Sequence, residues 1–132
     1  MTPATLRVLT AVCSYLSVDL DLVRSGSQLP RCVHARGVAM YVMRQHFKPR
    51  PTLEDIGVEF RRHYSNVVYA LRRTKLRLTE DETAGAVQAG RHAVARSHVP
   101  WTKERALEEA RARVRALEAE LGIAPSGEGA AA

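Results

Sequence analysis

The chain has 132 residues, 45% hydrophobic and 26% charged, which suits one domain with its own core and excludes both two ordinary domains and wholesale disorder. Two cysteines, Cys13 and Cys32, cannot supply a disulfide framework or a four-thiolate zinc site, and no apolar run approaches the ~20 residues of a membrane helix. Twenty Lys+Arg against fourteen Asp+Glu leave a net charge of +6, which favours polyanionic partners over basic or neutral ones.

Helices are expected almost throughout, in an all-α fold. Thr2-Pro3 sets a capping hydroxyl before a proline, and Leu6, Leu9, Val12, Cys13 and Leu16 recur at helical steps, so the first helix spans roughly 3–17. Asp19 to Val23 reads as a short helical turn, and Arg24 to Pro30 as a loop rich in Gly, Ser and Pro. A long helix follows over 31–47, with Cys32, Ala35, Val38, Ala39, Val42 and Met43 inward, and Pro49 and Pro51 end it. Thr52 and Asp55 form a capping-box-like start to a short helix over 52–60. Arg61-Arg62-His63 is a polar break, and another helix runs from about 64 to 78 with Val67, Val68, Leu71 and Leu78 inward. Thr79 with Glu82 is a second capping box, opening a helix to about Ser97, and Pro100 and Thr102 start the last helix, which ends near Gly122. Residues 124–132, all Gly, Ser, Pro, Ala and one Glu, read as a disordered tail.

The charge is unevenly spread. Residues 22–79 hold twelve basic and three acidic side chains, net +9, between a first segment of net −1 and a last of net −2. A basic segment inside a balanced chain points to a nucleic-acid surface. Within it, the helices over 52–60 and 64–78, joined by three polar residues, form a helix-turn-helix pattern. The exposed first turn of the second helix then carries Arg62, His63, Tyr64, Ser65 and Asn66, all able to bond bases or phosphates. Arg61, Tyr69, Arg72, Arg73 and Lys75 extend this surface along the helix.

Residues 5–79 resemble the C-terminal DNA-binding domain of the bacterial replication initiator DnaA. Arg36-Gly-Val-Ala-Met-Tyr-Val42 is similar to that family's R-Q-I-A-M-Y-L helix, and Thr52-Leu-Glu-Asp-Ile-Gly-Val-Glu-Phe60 to its S-L-x-E-I-G-x-x-F helix. Arg62-His-Tyr-Ser-Asn-Val-Val-Tyr-Ala70 sits where the family has R-D-H-T-T-V-L-H-A. The resemblance implies a helix-turn-helix reading the major groove of double-stranded DNA, and a basic loop placing an arginine in the minor groove. It assigns DNA contacts to Arg24, Ser25, Ser27, Gln28, Arg31 and Arg36 in the loop and following helix. The departures imply a changed target. The family's G-G after the phenylalanine is here Arg61 alone, its Asp-His is His63-Tyr64, and its two threonines are Ser65 and Asn66. The minor-groove arginine falls on Gln28, leaving Arg24 or Arg31 to replace it. The family's ATPase module has no counterpart here. The resemblance therefore implies a cytoplasmic, nucleoid-associated transcription regulator, of a phage-like gene cluster, or an accessory factor at a replication origin.

The segments 1–98, 99–122 and 123–132 are expected as DNA-binding domain, amphipathic helix and tail. In the last helix Leu107, Ala110, Val114, Leu117 and Leu121 make a heptad seam of little over two repeats. It suits a homodimer, or docking of RNA polymerase or a replication factor through 100–121. The other reading folds this helix back on its own domain, with Trp101 anchoring its start. An adaptor acting through this helix and an RNA binder are the rival classes, the latter lacking an aromatic stacking pattern. No catalytic constellation emerges. Cys32 and His34 lack metal-ligand spacing, Cys13 falls on an apolar stripe, and His46, His63, His92 and His98 have no carboxylate motif beside them. No enzyme activity, cofactor or metal is expected.

Overall fold

The computed structural model describes residues 1–97 and 100–122. These form seven helices, with no strand among the described residues: α1 (Pro3–Leu16), α2 (Leu20–Arg24), α3 (Pro30–His46), α4 (Leu53–Phe60), α5 (Tyr64–Leu76), α6 (Asp81–Ala95) and α7 (Lys103–Leu121). His98, the boundary at 98–99 and the expected tail lie outside the described residues.

Helix α3 is the axis of the fold. Ten of its seventeen residues are buried, and it touches α1, α2, α4, α5 and α6. A helix buried on several faces has to be wrapped in this way. All six of its expected inward residues are buried, joined by His34, Arg36, Gly37 and Met40. Helix α1 lies along α3 and α6, burying Val8, Leu9, Val12 and Leu16 completely. Each such side chain contributes about 1.5–3 kcal/mol on leaving water.

The helix starts follow local chemistry in most places. The Thr2 hydroxyl caps α1 ahead of Pro3, and the Asp19 side chain caps α2. At α4 both halves of the capping box form: Asp55 N–H donates to Thr52 Oγ1 at 3.1 Å, and Thr52 N–H to Asp55 Oδ2 at 2.9 Å. The second expected box does not form. Helix α6 starts after Glu80, with no side-chain cap. Successive backbone bonds after α5, from Arg77 to Thr74, Leu78 to Lys75 and Glu80 to Arg77, carry the turn past Thr79. The Glu80 carboxylate is drawn instead to Arg77 Nε at 2.7 Å. The same turns end α5 at Leu76 rather than 78, leaving Leu78 half-buried.

A buried carboxylate ties α4 to the beginning of the chain. Glu59 is 2% exposed and accepts from Thr2 N–H at 3.1 Å, Thr2 Oγ1 at 2.6 Å and the Thr5 hydroxyl. The donors stand at the N-terminus of α1, where the helix dipole favours a negative charge. Helix α7 then closes over α4. Trp101 is buried and stacks on Phe47 at 6.2 Å between ring centres, so it does anchor the start of α7. Ala106 is buried, Arg113 Nη2 donates to the Val58 carbonyl at 3.2 Å, and the chain's amino terminus pairs with Glu109 at 3.2 Å.

Candidate nucleic-acid interface

The turn between α4 and α5 is set by two backbone features. Arg61 ends α4 in the left-handed region at φ 56°, ψ 44°, and Arg62 N–H bonds back to the Gly57 carbonyl at 2.9 Å. This is the usual helix ending that a glycine favours, here carried by an arginine. The returning chain passes so close to α4 that a Cβ on Gly57 would lie 2.5 Å from the Arg62 carbonyl oxygen. Gly57 thus serves the turn itself rather than packing between helix faces.

Helix α5 begins under a histidine cap. His63 Nδ1 accepts from Ser65 N–H at 3.2 Å and lies 2.8 Å from Ser65 Oγ. The Tyr64 ring leans on the His63 ring, with centres 4.4 Å apart, and is still about half exposed. Ser65, Asn66, Tyr69, Arg72, Arg73 and Lys75 are exposed, while Val67 and Thr74 hold the opposite face on α3. Arg73 sits over the Tyr69 ring at 5.8 Å.

The loop between α2 and α3 comes up beside this turn. Gly26, at φ +87°, bends the loop so that its carbonyl accepts from Arg62 Nη2 at 3.4 Å. Gln28, Arg62, Asn66, Tyr69 and Arg73 line one shallow cleft, and Arg24, Ser25, Arg61 and Arg62 line a second of about 300 Å³ next to it. Arg62 therefore stands between the two expected contact segments. Ser25 Oγ donates to the Leu22 carbonyl and Ser27 Oγ accepts from Leu29 N–H, so both serines also shape the loop.

Two expected contact residues are engaged elsewhere. Arg36 is 6% exposed, and it donates to the Ser27 carbonyl at 2.6 Å and the Val23 carbonyl at 3.3 Å. It braces the loop from beneath rather than facing outward. Burial holds its guanidinium below the usual arginine range, and the neighbouring Arg62 charge acts the same way. Arg31 turns towards α1 and α6, donating to the Leu16 carbonyl and pairing with Glu82 at 3.3 Å. Its exposed guanidinium is held towards Leu16 and Glu82, whereas exposed Arg24 lines the cleft beside Arg62.

The charge balance around the turn is one-sided. Among the described residues, Arg24, Arg61, Arg62, Arg72, Arg73 and Lys75 pair with no carboxylate, whereas Arg31 and Arg77 each have one. Arg24, Arg61, Arg62 and Arg73 line the two clefts, the first of which Asp21 also lines, and Arg72 and Lys75 continue along α5, so that together they form a surface for a chain of phosphates. Residue types alone do not signal Gly26 as the link between loop and turn. Its Ser-Gly-Ser setting marked a bend, but the partner across it depends on tertiary placement. Both cysteines are buried, and burial raises the Cys13 thiol to about 11, far from a reactive thiolate. No three metal-ligating side chains gather among the described residues, and no described helix is long and apolar enough to cross a membrane.

No curated protein and no solved structure matches the chain. Residues 6–74, just over half of it, match the family described as the bacterial dnaA protein helix-turn-helix, and the match runs from α1 through α5. The chain belongs to the bacterial DnaA helix-turn-helix family, a family of DNA-binding domains.

Proposed function

We propose that this chain is a sequence-specific double-stranded DNA-binding protein that regulates transcription, reading the major groove with the first turn of α5. The observation that carries the reading is the group of six unpaired cations, Arg24, Arg61, Arg62, Arg72, Arg73 and Lys75, around an exposed Tyr64-Ser65-Asn66 turn. Phosphate contacts from Arg61, Arg72, Arg73 and Lys75 set the register, and Arg62 and Asn66 read base edges, arginine preferring guanine and asparagine adenine. His63, Tyr64 and Ser65 shape the approach, with Tyr69 and Gln28 flanking the cleft. Arg24 and Ser25 take the adjacent phosphate or minor groove. Arg36 acts through the loop it braces.

The target differs from the initiator's, because changing several base contacts at ~1–3 kcal/mol of discrimination each re-specifies a site. A role as an accessory factor at a replication origin uses the same surface and differs only in the location of the site. The α7 helix, with its uncovered apolar stripe, favours a second copy or a protein partner such as RNA polymerase or a replication factor.

Selection of bound sites from a random duplex pool tests the reading. An enriched motif, bound with an affinity that falls steeply with salt, is the expected result. No enrichment, with no salt dependence, overturns it.

A further inference from the structure

The residue that ends α4 in the left-handed region is an arginine, at a place that favours glycine. A side chain kept in so unfavourable a backbone region points to work done by that side chain. Arg61 lines the cleft of about 300 Å³ together with Arg24, Arg36 and Arg62. Four guanidinium groups thus border one small space, from α2, from α3 and from the turn between α4 and α5.

Two of the four are already occupied. Arg36 lies beneath, with donors on the Ser27 and Val23 carbonyls. Arg62 donates to the Gly26 carbonyl and also lines the neighbouring cleft with Gln28 and Asn66. Arg24 and Arg61 are exposed and, among the described residues, pair with no carboxylate. They approach from different segments, Arg24 from the end of α2 and Arg61 from the end of α4.

Two carboxylates border the same cleft. Glu59 is buried and spent on Thr2 and Thr5. Asp21 is exposed and pairs with none of the arginines. The excess is cationic, and its crowding is felt at Arg36, whose hold on its proton the Arg62 charge weakens. A bound anion relieves that crowding. A phosphodiester suits the two open arginines, because it offers a charge and two unbridged oxygens, one for each guanidinium. The clefts share Arg62, so a strand whose bases meet Arg62 and Asn66 carries its backbone past Arg61.

We propose that this cleft holds a single backbone phosphate of the DNA, gripped by Arg24 on one side and Arg61 on the other. The proposal rests on the DNA-binding reading above and sharpens it. Loop and turn meet the duplex at one shared phosphate, Arg24 reads no base in the minor groove, and Arg62 stays free to read from the neighbouring cleft.

The test scans the selected duplex, replacing each phosphate in turn by an uncharged methylphosphonate. Fluorescence anisotropy gives the affinity of the wild type, Arg24→Gln and Arg61→Gly, each checked by urea unfolding to be fully folded. At one position the wild type loses about tenfold, the order of one charged hydrogen-bonded contact, while both variants lose about twofold or less. Variants that lose sensitivity at different phosphates overturn the shared grip. So does an Arg24→Gln chain that keeps full sensitivity at every phosphate and loses preference for a base pair instead. Inorganic phosphate at matched ionic strength is the second arm. If it displaces the duplex while the methylphosphonate scan is flat, the cleft belongs to a free anion and the proposal falls. Wild type that fails to bind the unmodified duplex defeats the DNA-binding reading itself, whereas a flat scan on a tightly bound duplex defeats the shared phosphate alone.

Discussion

Replacing Gly57 by alanine tests the turn on which the interface is built. In an ordinary exposed helix the change is favourable by about 1 kcal/mol, because alanine is the better helix former. Here the new Cβ would lie 2.5 Å from the Arg62 carbonyl oxygen, a backbone atom that cannot rotate away, and 3.6 Å and 3.7 Å from the Arg62 carbonyl carbon and the Tyr64 nitrogen. Relief requires the Arg62–Tyr64 backbone to retreat by several tenths of an ångström, stretching the 2.9 Å bond from Arg62 N–H to the Gly57 carbonyl. Overpacking of this kind costs about 1–3 kcal/mol, enough to exceed the helical gain. The expected net effect is a loss of stability of up to about 2 kcal/mol in urea unfolding, at unchanged m-value. DNA affinity falls further than stability does, because Arg62, His63 and Tyr64 move together and lose their register on the groove. Fluorescence anisotropy on a selected duplex, under conditions where the variant is fully folded, measures that second loss. A Gly57→Ala chain that is more stable than the wild type and binds with equal affinity would refute the argument.

Arg61→Gly releases a left-handed residue that costs roughly 1–2 kcal/mol in place of glycine, against ~0.4–1 kcal/mol of extra unfolded-chain entropy. Its midpoint in urea should therefore hold or rise while its DNA affinity drops; a fall in stability would contradict the turn geometry. Glu59→Gln leaves one of the donors around the buried carboxylate facing an amide, at a cost of about 1–3 kcal/mol in urea unfolding; an unchanged midpoint would remove Glu59 as the tie between α1 and α4. His34 is buried beside Thr83, 3.2 Å from its hydroxyl, and burial, with Arg77 acting the same way, lowers its pKa below the ordinary 6.5. The unfolded chain then binds the proton more readily, so stability is complete above about pH 6.5 and declines as the pH falls below it. His46, lowered by burial and Arg91, adds in the same direction. A His34→Gln chain should show a flatter fall from pH 7 to 5, and an equally steep one would remove His34 as a source. Finally, Arg62→Ala and Asn66→Ala should change which sequences are selected, whereas Arg72→Ala and Lys75→Ala should weaken all sequences alike and reduce the salt slope by ~1 each. If Arg62→Ala leaves both affinity and preferred sequence unchanged, the docking geometry is wrong.

The amino-acid sequence alone determined the all-α class, the family and most helix limits, because these depend on local chemistry. Thr2 before Pro3, Asp19, and Thr52 with Asp55 begin helices through bonds that span three residues or fewer, and Pro49 and Pro51 end one wherever they occur. Periodicity likewise located the buried side of α3. Thr79 shows where that reasoning stops. Its pattern matched a cap, but the turns leaving α5 placed the helix start one residue later, and Arg77 took the Glu80 side chain.

Tertiary structure decided which basic residues stand beside the turn before α5. Arg24, Arg31, Arg36 and Arg62 are alike on paper, since a guanidinium long enough to reach DNA is also long enough to reach a neighbouring carbonyl. Arg36 spends its donors on Val23 and Ser27, Arg31 on Leu16 and Glu82, and only the folded arrangement leaves Arg24 and Arg62 beside the recognition turn. The heptad seam of α7 was legible in its spacing. That its seam stays bare while its adjoining side rests on α4 follows from packing, because Trp101 and Ala106 fix the angle at which the helix meets the domain. Spacing says which residues share a face of a helix, and only the surrounding chain says which way that face is turned.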